Sequence, residues 1–337
     1  MKNNYINIEI KEGKVNYIDY LKSFSILMIV DMHLIQIYMT FIPSKIKLAA
    51  SFLGAGVHVF FFLSAMGLYL SYIKKEQSYT DFVKNRFLKI YIPYIIIIII
   101  SFFIPIMYDG NDRLIALMSH IFCFKMLSNK YTVSFGEQFW FISTIMQFYL
   151  LFVPLCKVKK KIGNKKFIVL SFIISIIWQF FLSKFNINDR VLGSFFLQYL
   201  WEFSLGMITA EFIYKRKIIK IGYKKLLLLF LISIIYYIFF SIINLKAFND
   251  YGAFLSFLII GIVASSFKYS RKAMVLCAKH SYELFLIHIL IFNILFYYIK
   301  CSNLFEQLIL GVVAIILSII LSYLFSWILS LFKKIKR

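Results

Sequence analysis

Charged residues are scarce in this chain. They make up 16% of its 337 residues, whereas a soluble domain carries roughly 25%. Apolar residues account for 61%, and the mean hydropathy is +0.82. Glycine (13) and proline (4) are also few, so turn formers are rare and long helices are favoured. A water-soluble fold is therefore excluded, because too little polar surface remains to cover a globule, and the bilayer is the natural solvent.

The sequence also lacks the patterns of a β-barrel, a disulfide framework and a cysteine metal site. Its apolar runs are about 20 residues long and do not alternate, which indicates helices rather than barrel strands. Helices satisfy their own backbone hydrogen bonds, as lipid requires. The four cysteines stand singly, without a C-x-x-C pair, and are interpreted as apolar filler or spare thiols. They are Cys123, Cys156, Cys277 and Cys301.

Apolar stretches bounded by charges predict an all-α, polytopic integral membrane bundle of about ten transmembrane helices. Residues 112–128 are too short and broken for a span and are interpreted as an interfacial or re-entrant segment. We expect a single domain over 1–337, with a short cytoplasmic tail at 1–16 and a basic cytoplasmic tail at 333–337. The predicted spans are 17–40, 52–73, 87–107, 138–157, 166–184, 190–214, 224–243, 250–267, 280–299 and 305–332.

The positive charge is distributed unevenly between alternate connections. Of the 38 Lys and Arg residues, 28 lie in one set of connections and nine in the other, and Lys22 lies inside the first span. This bias predicts a multi-pass protein of the cell membrane with both termini in the cytoplasm. It also explains the net charge of +23 without a nucleic-acid partner. The first span carries Asp31 and His33 and is too long for a cleaved signal peptide.

Ionisable residues inside the predicted spans need a reason, because each costs about 2.5–3.5 kcal/mol on insertion scales. In the first span Asp19, Lys22, Ile29 and His33 recur at helical spacing and share one face. Lys22 and His33 are separated by roughly 16 Å along that face. His33 is either a packing histidine bonded to a neighbouring helix or a functional imidazole. Its stripe with Lys22 favours the functional interpretation.

Other spans carry polar groups at a similar depth, which favours one shared polar cavity. His280 and His288 suggest a metal pair, but they diverge by roughly 80° on a helix. No third ligand is evident, so no metal site is predicted. Glu137 stands at the outer entrance of the fourth span. The predicted cavity groups of middle depth are His33, His58, Gln147, Glu202 and His288.

The stretch from Asp19 to His33 resembles the opening signature of acyltransferase family 3, whose members are multispanning sugar and glycan O-acyltransferases. That signature has an Asp, a basic residue and a His after ten intervening positions, and Lys22 stands where Arg is usual. Four further blocks resemble family motifs in the expected order, so the resemblance spans nearly the whole chain. The blocks are 56–65, 86–94, 139–151 and 281–288.

Three positions depart from the family pattern. His58 replaces an acid, Ala65 replaces a glycine, and Met146 replaces a Glu often found before Gln147. These departures bear on the acceptor subgroup. The pattern is most similar to short, single-domain members that modify exported polysaccharides.

The resemblance implies transfer of an acyl group, acetyl or succinyl, from cytoplasmic acyl-CoA to a hydroxyl of a cell-surface polysaccharide or lipid-linked sugar. His33 is the expected general base, and His58 or Glu202 would orient it or stabilise charge. No bound cofactor is expected, and membrane lipid surrounds the protein. The residues expected to bind acyl-CoA are Lys22, Arg86 and Lys89. The expected substrate-cavity residues are Asp19, Ser64, Trp140, Gln147, Tyr149, Glu283 and His288.

Other interpretations of these residues remain. Arg86 and Lys89 also fit the positive-inside bias alone, and Trp140 is either a sugar-stacking residue or an interfacial anchor. A proton-coupled transporter or flippase for a glycan or small solute would use His33 and Glu202 as relay groups. The chain shows no internal repeat, which disfavours a transporter built from two related halves. A non-catalytic scaffold would have no need to bury Lys22, His33 and Glu202.

Overall fold

The computed structural model of the protein is dominated by helices. It describes residues 5–11, 14–15, 17–185, 190–216, 218–243, 245–267, 274 and 278–335. Parts of the two predicted tails (1–4, 12–13, 16 and 336–337) and Cys277 lie outside the described residues. The described part of the chain is 85% helical, which confirms the all-α class. A small sheet is the exception.

The helices are numbered in chain order over the described residues. The first six are α1 (Ile18–His33), α2 (Ser44–Ala50), α3 (Gly56–Lys74), α4 (Tyr79–Phe102), α5 (Arg113–Ile121) and α6 (Trp140–Lys184). The others are α7 (Arg190–Gly193), α8 (Leu200–Arg216), α9 (Tyr223–Ile242), α10 (Lys246–Ala264), α11 (Ser281–Tyr298) and α12 (Leu304–Ile335).

Seven helical segments of the described chain are long and apolar enough to cross a membrane. A multi-pass membrane protein is thereby confirmed, while the count of about ten stays a prediction. The first predicted span is a 16-residue α-helix that continues into a π-helical turn, Leu34–Tyr38. The fourth and fifth predicted spans are the two arms of α6, which counts once by length.

Helix α6 folds back on itself at Gly163. Phe148 in its first arm stacks on Phe203 of α8, with ring centroids 4.1 Å apart. Ser171 in its second arm hydrogen-bonds to the adjacent Ser204 at 2.7 Å. A straight helix would separate Phe148 and Ser171 by about 34 Å. The reversal uses Gly163 at φ +79°, a backbone conformation that glycine adopts without steric cost.

Helices α3 and α8 approach each other closely. A Cβ on Gly206 would collide with the carbonyl oxygen of Phe62 and lie 2.9 Å from the Ala65 Cβ. The absent side chain at Gly206 and the small one at Ala65 therefore set the spacing, as small residues do between membrane helices. This close contact positions His58 on α3 against Glu202 on α8.

A three-stranded antiparallel sheet joins distant parts of the chain. Strand β1 (Tyr5–Lys11) lies between β2 (Lys14–Val15) and β3 (Ile218–Gly222). Its register pairs Tyr5 with Gly222 and Glu9 with Ile218. Residues predicted as a simple N-terminal tail thus form strands, and the pairing places them at the same end of the bundle as the α8–α9 connection.

The connection between α4 and α6 forms a compact segment, here called the cap (residues 105–139). Its helix α5 has 9 residues, too few to cross a bilayer. Arg113 donates hydrogen bonds to the carbonyl oxygens of Phe102 and Ser101. Lys125 is buried and donates to the carbonyl oxygens of Ser134 and Gly136 at 2.9 and 3.1 Å. Burial lowers the pKa of the Lys125 ammonium well below its ordinary value.

Candidate active site

Two histidines from different helices meet in the middle of the bundle. His33 ends α1, His288 lies within α11, and both are buried. Nδ1 of His33 is 3.0 Å from Nε2 of His288, and Nδ1 of His288 is 3.0 Å from the carbonyl oxygen of Leu284. The sequence placed both residues at the same depth, and the structure brings them into contact.

The Leu284 carbonyl fixes the direction of this hydrogen-bond chain. A carbonyl oxygen can only accept, so Nδ1 of His288 carries the proton that it donates to Leu284. In a neutral His288, Nε2 is then an acceptor, and Nδ1 of His33 donates to it. In a neutral His33 this leaves the lone pair on Nε2. The arrangement therefore presents one imidazole nitrogen that can receive a proton.

A carboxylate faces that nitrogen. Oε1 of Glu137, at the start of the first α6 arm, is 3.7 Å from Nε2 of His33, and the Glu137 side chain is about half exposed. This distance is too long for a hydrogen bond but short enough to stabilise a positive charge on the ring.

Trp140 lies one turn further along α6. The Arg190 guanidinium sits 4.4 Å from the Trp140 ring centroid, and Tyr199 stacks on the same residue at 5.7 Å. Trp140 is itself buried. Its expected role in stacking on a sugar stays a prediction, and in this structure its ring already packs against protein groups.

A second buried cluster surrounds His58. Nδ1 of His58 is 2.6 Å from Oε1 of Glu202, and its Nε2 is 3.6 Å from Oδ1 of Asp250. Gln198 donates to the other Asp250 oxygen at 3.4 Å. Glu202 is fully buried, and among the described residues its Oε2 has no hydrogen-bond partner. Both ring nitrogens of His58 thus face oxygens of carboxyl groups.

A cavity of about 430 Å³ lies between α1, α3, α4, α6, α11 and α12. It is called the larger cavity here, because the second cavity described below has about 400 Å³. Lys22, Arg86 and Lys89 all line it, together with Lys279. The three residues expected to bind acyl-CoA are therefore brought together. Three of the expected substrate-cavity residues also line it: Ser64, Tyr149 and Glu283.

This cavity stops about one helical turn short of the histidine pair. Ile29 and Phe285 line it, and they precede His33 and His288 by four and three residues in the sequence. Such steps amount to roughly 5–6 Å along a helix. The basic and apolar walls therefore lead from the end of the bundle that holds Lys22 towards His33.

Several predicted site residues lie outside the lining of this cavity. Gln147 joins two elements: its Oε1 accepts from the Phe196 backbone N–H at 3.1 Å. Asp19 lies in the first turn of α1, where its carbonyl oxygen accepts from Ser23 at 3.2 Å. The others outside the lining are His33, His58, Trp140, Glu202 and His288.

Sequence reasoning missed three groups of the site. Glu137 was noticed only as an entrance residue, and Arg190 and Asp250 received no role. Asp250 carried a signal, since an acid within an apolar helix calls for a partner. Among the described residues no group of three or more His, Cys, Asp or Glu side chains could hold a metal ion.

The family model of acyltransferase family 3, described as an acyltransferase domain, matches residues 15–331. No curated protein and no solved structure matches the chain.

Proposed function

The chain belongs to acyltransferase family 3, and on that premise we propose that it moves an acyl group from cytoplasmic acyl-CoA to a hydroxyl of a cell-surface polysaccharide or lipid-linked sugar. The observation that carries this proposal is the hydrogen-bond chain from Leu284 through His288 to His33. It leaves a proton acceptor at Nε2 of His33, near the apolar end of a cavity with several cations.

His33 acts as general base in this reaction. An alcohol is a weak nucleophile, and its attack on the thioester carbon is assisted when Nε2 accepts the hydroxyl proton. The new oxygen–carbon bond forms as the carbon–sulfur bond breaks, and the imidazolium returns its proton to the departing thiolate. His288 holds the reactive tautomer of His33. Glu137 stabilises the transient imidazolium across 3.7 Å.

The larger cavity holds the donor. Coenzyme A carries several phosphate charges, and Lys22, Arg86 and Lys89 supply cations that bind them. The acyl end then extends past Ile29 towards His33. Fixing both substrates against one base lowers the entropic part of the barrier. Either acetyl or succinyl is the transferred group. The protein lies in the plasma membrane, and the 28 basic residues of one set of connections face the cytoplasm.

The test measures thiol release in liposomes that contain the purified protein. Acetyl-CoA or succinyl-CoA is supplied, with surface polysaccharide extracted from a deletion strain as acceptor. We expect polysaccharide-dependent thiol release and O-acylated product from wild type, and neither from His33→Gln. His280→Gln is the matched control, since His280 lies outside both histidine clusters. Release at the wild-type rate from His33→Gln would remove the assigned role.

The cluster of His58, Glu202 and Asp250 favours a second candidate, a proton-coupled transporter or flippase, because buried titratable groups also serve proton relays. The same liposomes separate the two. A pure carrier moves labelled glycan across the bilayer and releases no thiol from acyl-CoA.

A further inference from the structure

A second cavity lies at the opposite end of the bundle. Its volume is about 400 Å³, and it is bordered by the π-helical turn after α1 and by α11 and α12. It shares no lining residue with the larger cavity. Hydroxyl, amide and aromatic groups dominate its polar wall, and Lys300 is the one charged residue among those described as lining it. The polar wall consists of Tyr38, Thr40, Asn293, Tyr297, Lys300 and Gln307.

Hydrogen bonds hold this wall in place. Gln307 donates to Thr40 Oγ1 at 2.8 Å and accepts from the Phe41 backbone N–H at 3.0 Å. Tyr38 donates to Oδ1 of Asn293 at 2.9 Å. Among the described residues, the amide nitrogen of Asn293 donates only to the Met107 sulfur, at 3.4 Å, and a thioether is a weak acceptor. A ligand oxygen would therefore give this amide a stronger hydrogen bond than the sulfur does.

The cavity is built on the same two helices as the histidine pair. Tyr38 follows His33 by five residues and Asn293 follows His288 by five, a step of about 7.5 Å along a helix. The Phe292 ring lies between Tyr38 and His288, with centroid distances of 5.4 Å to the Tyr38 ring and 5.9 Å to the His288 ring. Tyr38 ends a π-helical turn, a feature frequent at functional sites.

The chemistry of the wall excludes the other substrates considered. Coenzyme A needs several cations, which the larger cavity supplies and this one does not. An acyl chain would place hydrocarbon against the Asn293 amide nitrogen, whose partner is the weakly accepting Met107 sulfur, and burying a poorly bonded polar group is costly. Paired hydroxyl and amide groups beside aromatic rings match a neutral, hydroxyl-rich ligand.

We infer that this cavity is a carbohydrate subsite, which holds a sugar unit of the acceptor next to the unit that becomes acylated. The inference rests on the proposed acyl transfer and deepens it: the acceptor is a chain of sugars and approaches from the end of the bundle opposite Lys22. Binding of the neighbouring unit holds the reacting hydroxyl near Nε2 of His33.

The experiment compares acceptors of two lengths. A tetrasaccharide released by mild acid from the host cell's surface polysaccharide is tested beside its single sugars, with thiol release as readout. We expect wild type to prefer the tetrasaccharide. Tyr38→Phe and Asn293→Leu each lower kcat/KM for the tetrasaccharide about tenfold, equivalent to about 1.4 kcal/mol for each variant. The fall with single sugars is several times smaller, because they leave the subsite empty.

Matched controls come from the same end of the bundle. Tyr298→Phe alters an exposed neighbour on α11, and Asn249→Leu alters an amide bonded to Ser241; both keep the wild-type preference. Thermal unfolding in detergent checks that each variant folds. A wild type without length preference, or equal losses with both acceptors, overturns the subsite. A wild type that transfers acyl groups to neither acceptor contradicts the proposed function instead.

Discussion

His33 and His58 both lie deep in this bundle, and their surroundings differ in kind. His33 sits in a chain of neutral donors and acceptors that ends on the Leu284 carbonyl. His58 lies between Glu202 and Asp250. A carboxylate oxygen only accepts, so a proton on each His58 nitrogen suits that geometry.

The difference teaches which histidine can act as a base. A general base needs a lone pair in the reacting position, and His33 keeps one on Nε2. His58 differs at its hydrogen-bonded nitrogen: Nδ1 contacts the buried carboxyl group of Glu202 at 2.6 Å. Asp250 lies 3.6 Å from Nε2, so the ring is held between acids of α8 and α10. We therefore interpret the cluster of His33 and His288 as chemical and the cluster of His58, Glu202 and Asp250 as a support of the packed helices. Four predictions test this comparison.

The largest effect separates the two histidines directly. His33→Gln lowers kcat by about 10³ to 10⁴-fold, the contribution of a positioned general base, while folding is retained. His58→Gln instead lowers the yield of folded protein, with turnover per folded molecule much less affected. The yield of monodisperse protein in detergent, together with thiol release per mole of that protein, measures both. Equal loss of turnover in the two variants breaks the comparison.

The second effect concerns stability in the His58 cluster. Glu202→Ala leaves a buried cation without its nearest partner and destabilises the protein by about 3–5 kcal/mol. Glu202→Gln keeps an acceptor oxygen and loses less. Thermal unfolding in detergent gives the order of the variants. If alanine and glutamine prove equally stable, the charge pairing at His58 does not support the fold.

The third effect concerns the hydrogen bond between His33 and His288. His288→Leu removes the acceptor for Nδ1 of His33, so either tautomer of His33 becomes accessible. We expect kcat to fall about 10²-fold, the lower end of a general-base contribution. His288→Asn retains a side-chain oxygen and restores part of the rate. A leucine variant with full activity would show that the tautomer is fixed by other groups.

The smallest effect concerns the binding of acyl-CoA in the larger cavity. Lys22→Met removes one cation from the lining and raises KM for acyl-CoA about tenfold, as expected for one hydrogen bond to a charged group. Lys45→Met, on an exposed residue of α2, keeps the wild-type KM. An unchanged KM in Lys22→Met would contradict the assignment of the larger cavity to acyl-CoA.

Local sequence patterns indicated which basic residues would lie near one another. The helical spacing of Lys22 and His33 placed them on one face, and basic residues near the starts of the first and third spans met in one cavity. The contact of His33 with His288 joins residues 255 positions apart. This contact depends on the packing of α1 on α11. Spacing along the chain could therefore predict that the two histidines lie at the same depth, but not that they touch.

Other features were missed for identifiable reasons. The hairpin in α6 is not among them, since its two arms lie over the two spans expected at 138–157 and 166–184, and Gly163 reverses the chain between them. The sheet was readable, because Ile6, Ile8 and Ile10 alternate with polar residues, which is a strand pattern. Glu137 reaches His33 through the irregular cap, whose path depends on buried partners of Arg113 and Lys125.

The pairing of β1 with β3 has a consequence for biosynthesis. About 200 residues separate the two strands, so the first strand leaves the ribosome long before its partner exists. Closing so long a loop carries an entropic cost that grows only slowly with length, and it becomes possible once α8 has entered the membrane. The sheet thus forms late during translation, and its completion would report that the intervening helices have been inserted in the right orientation.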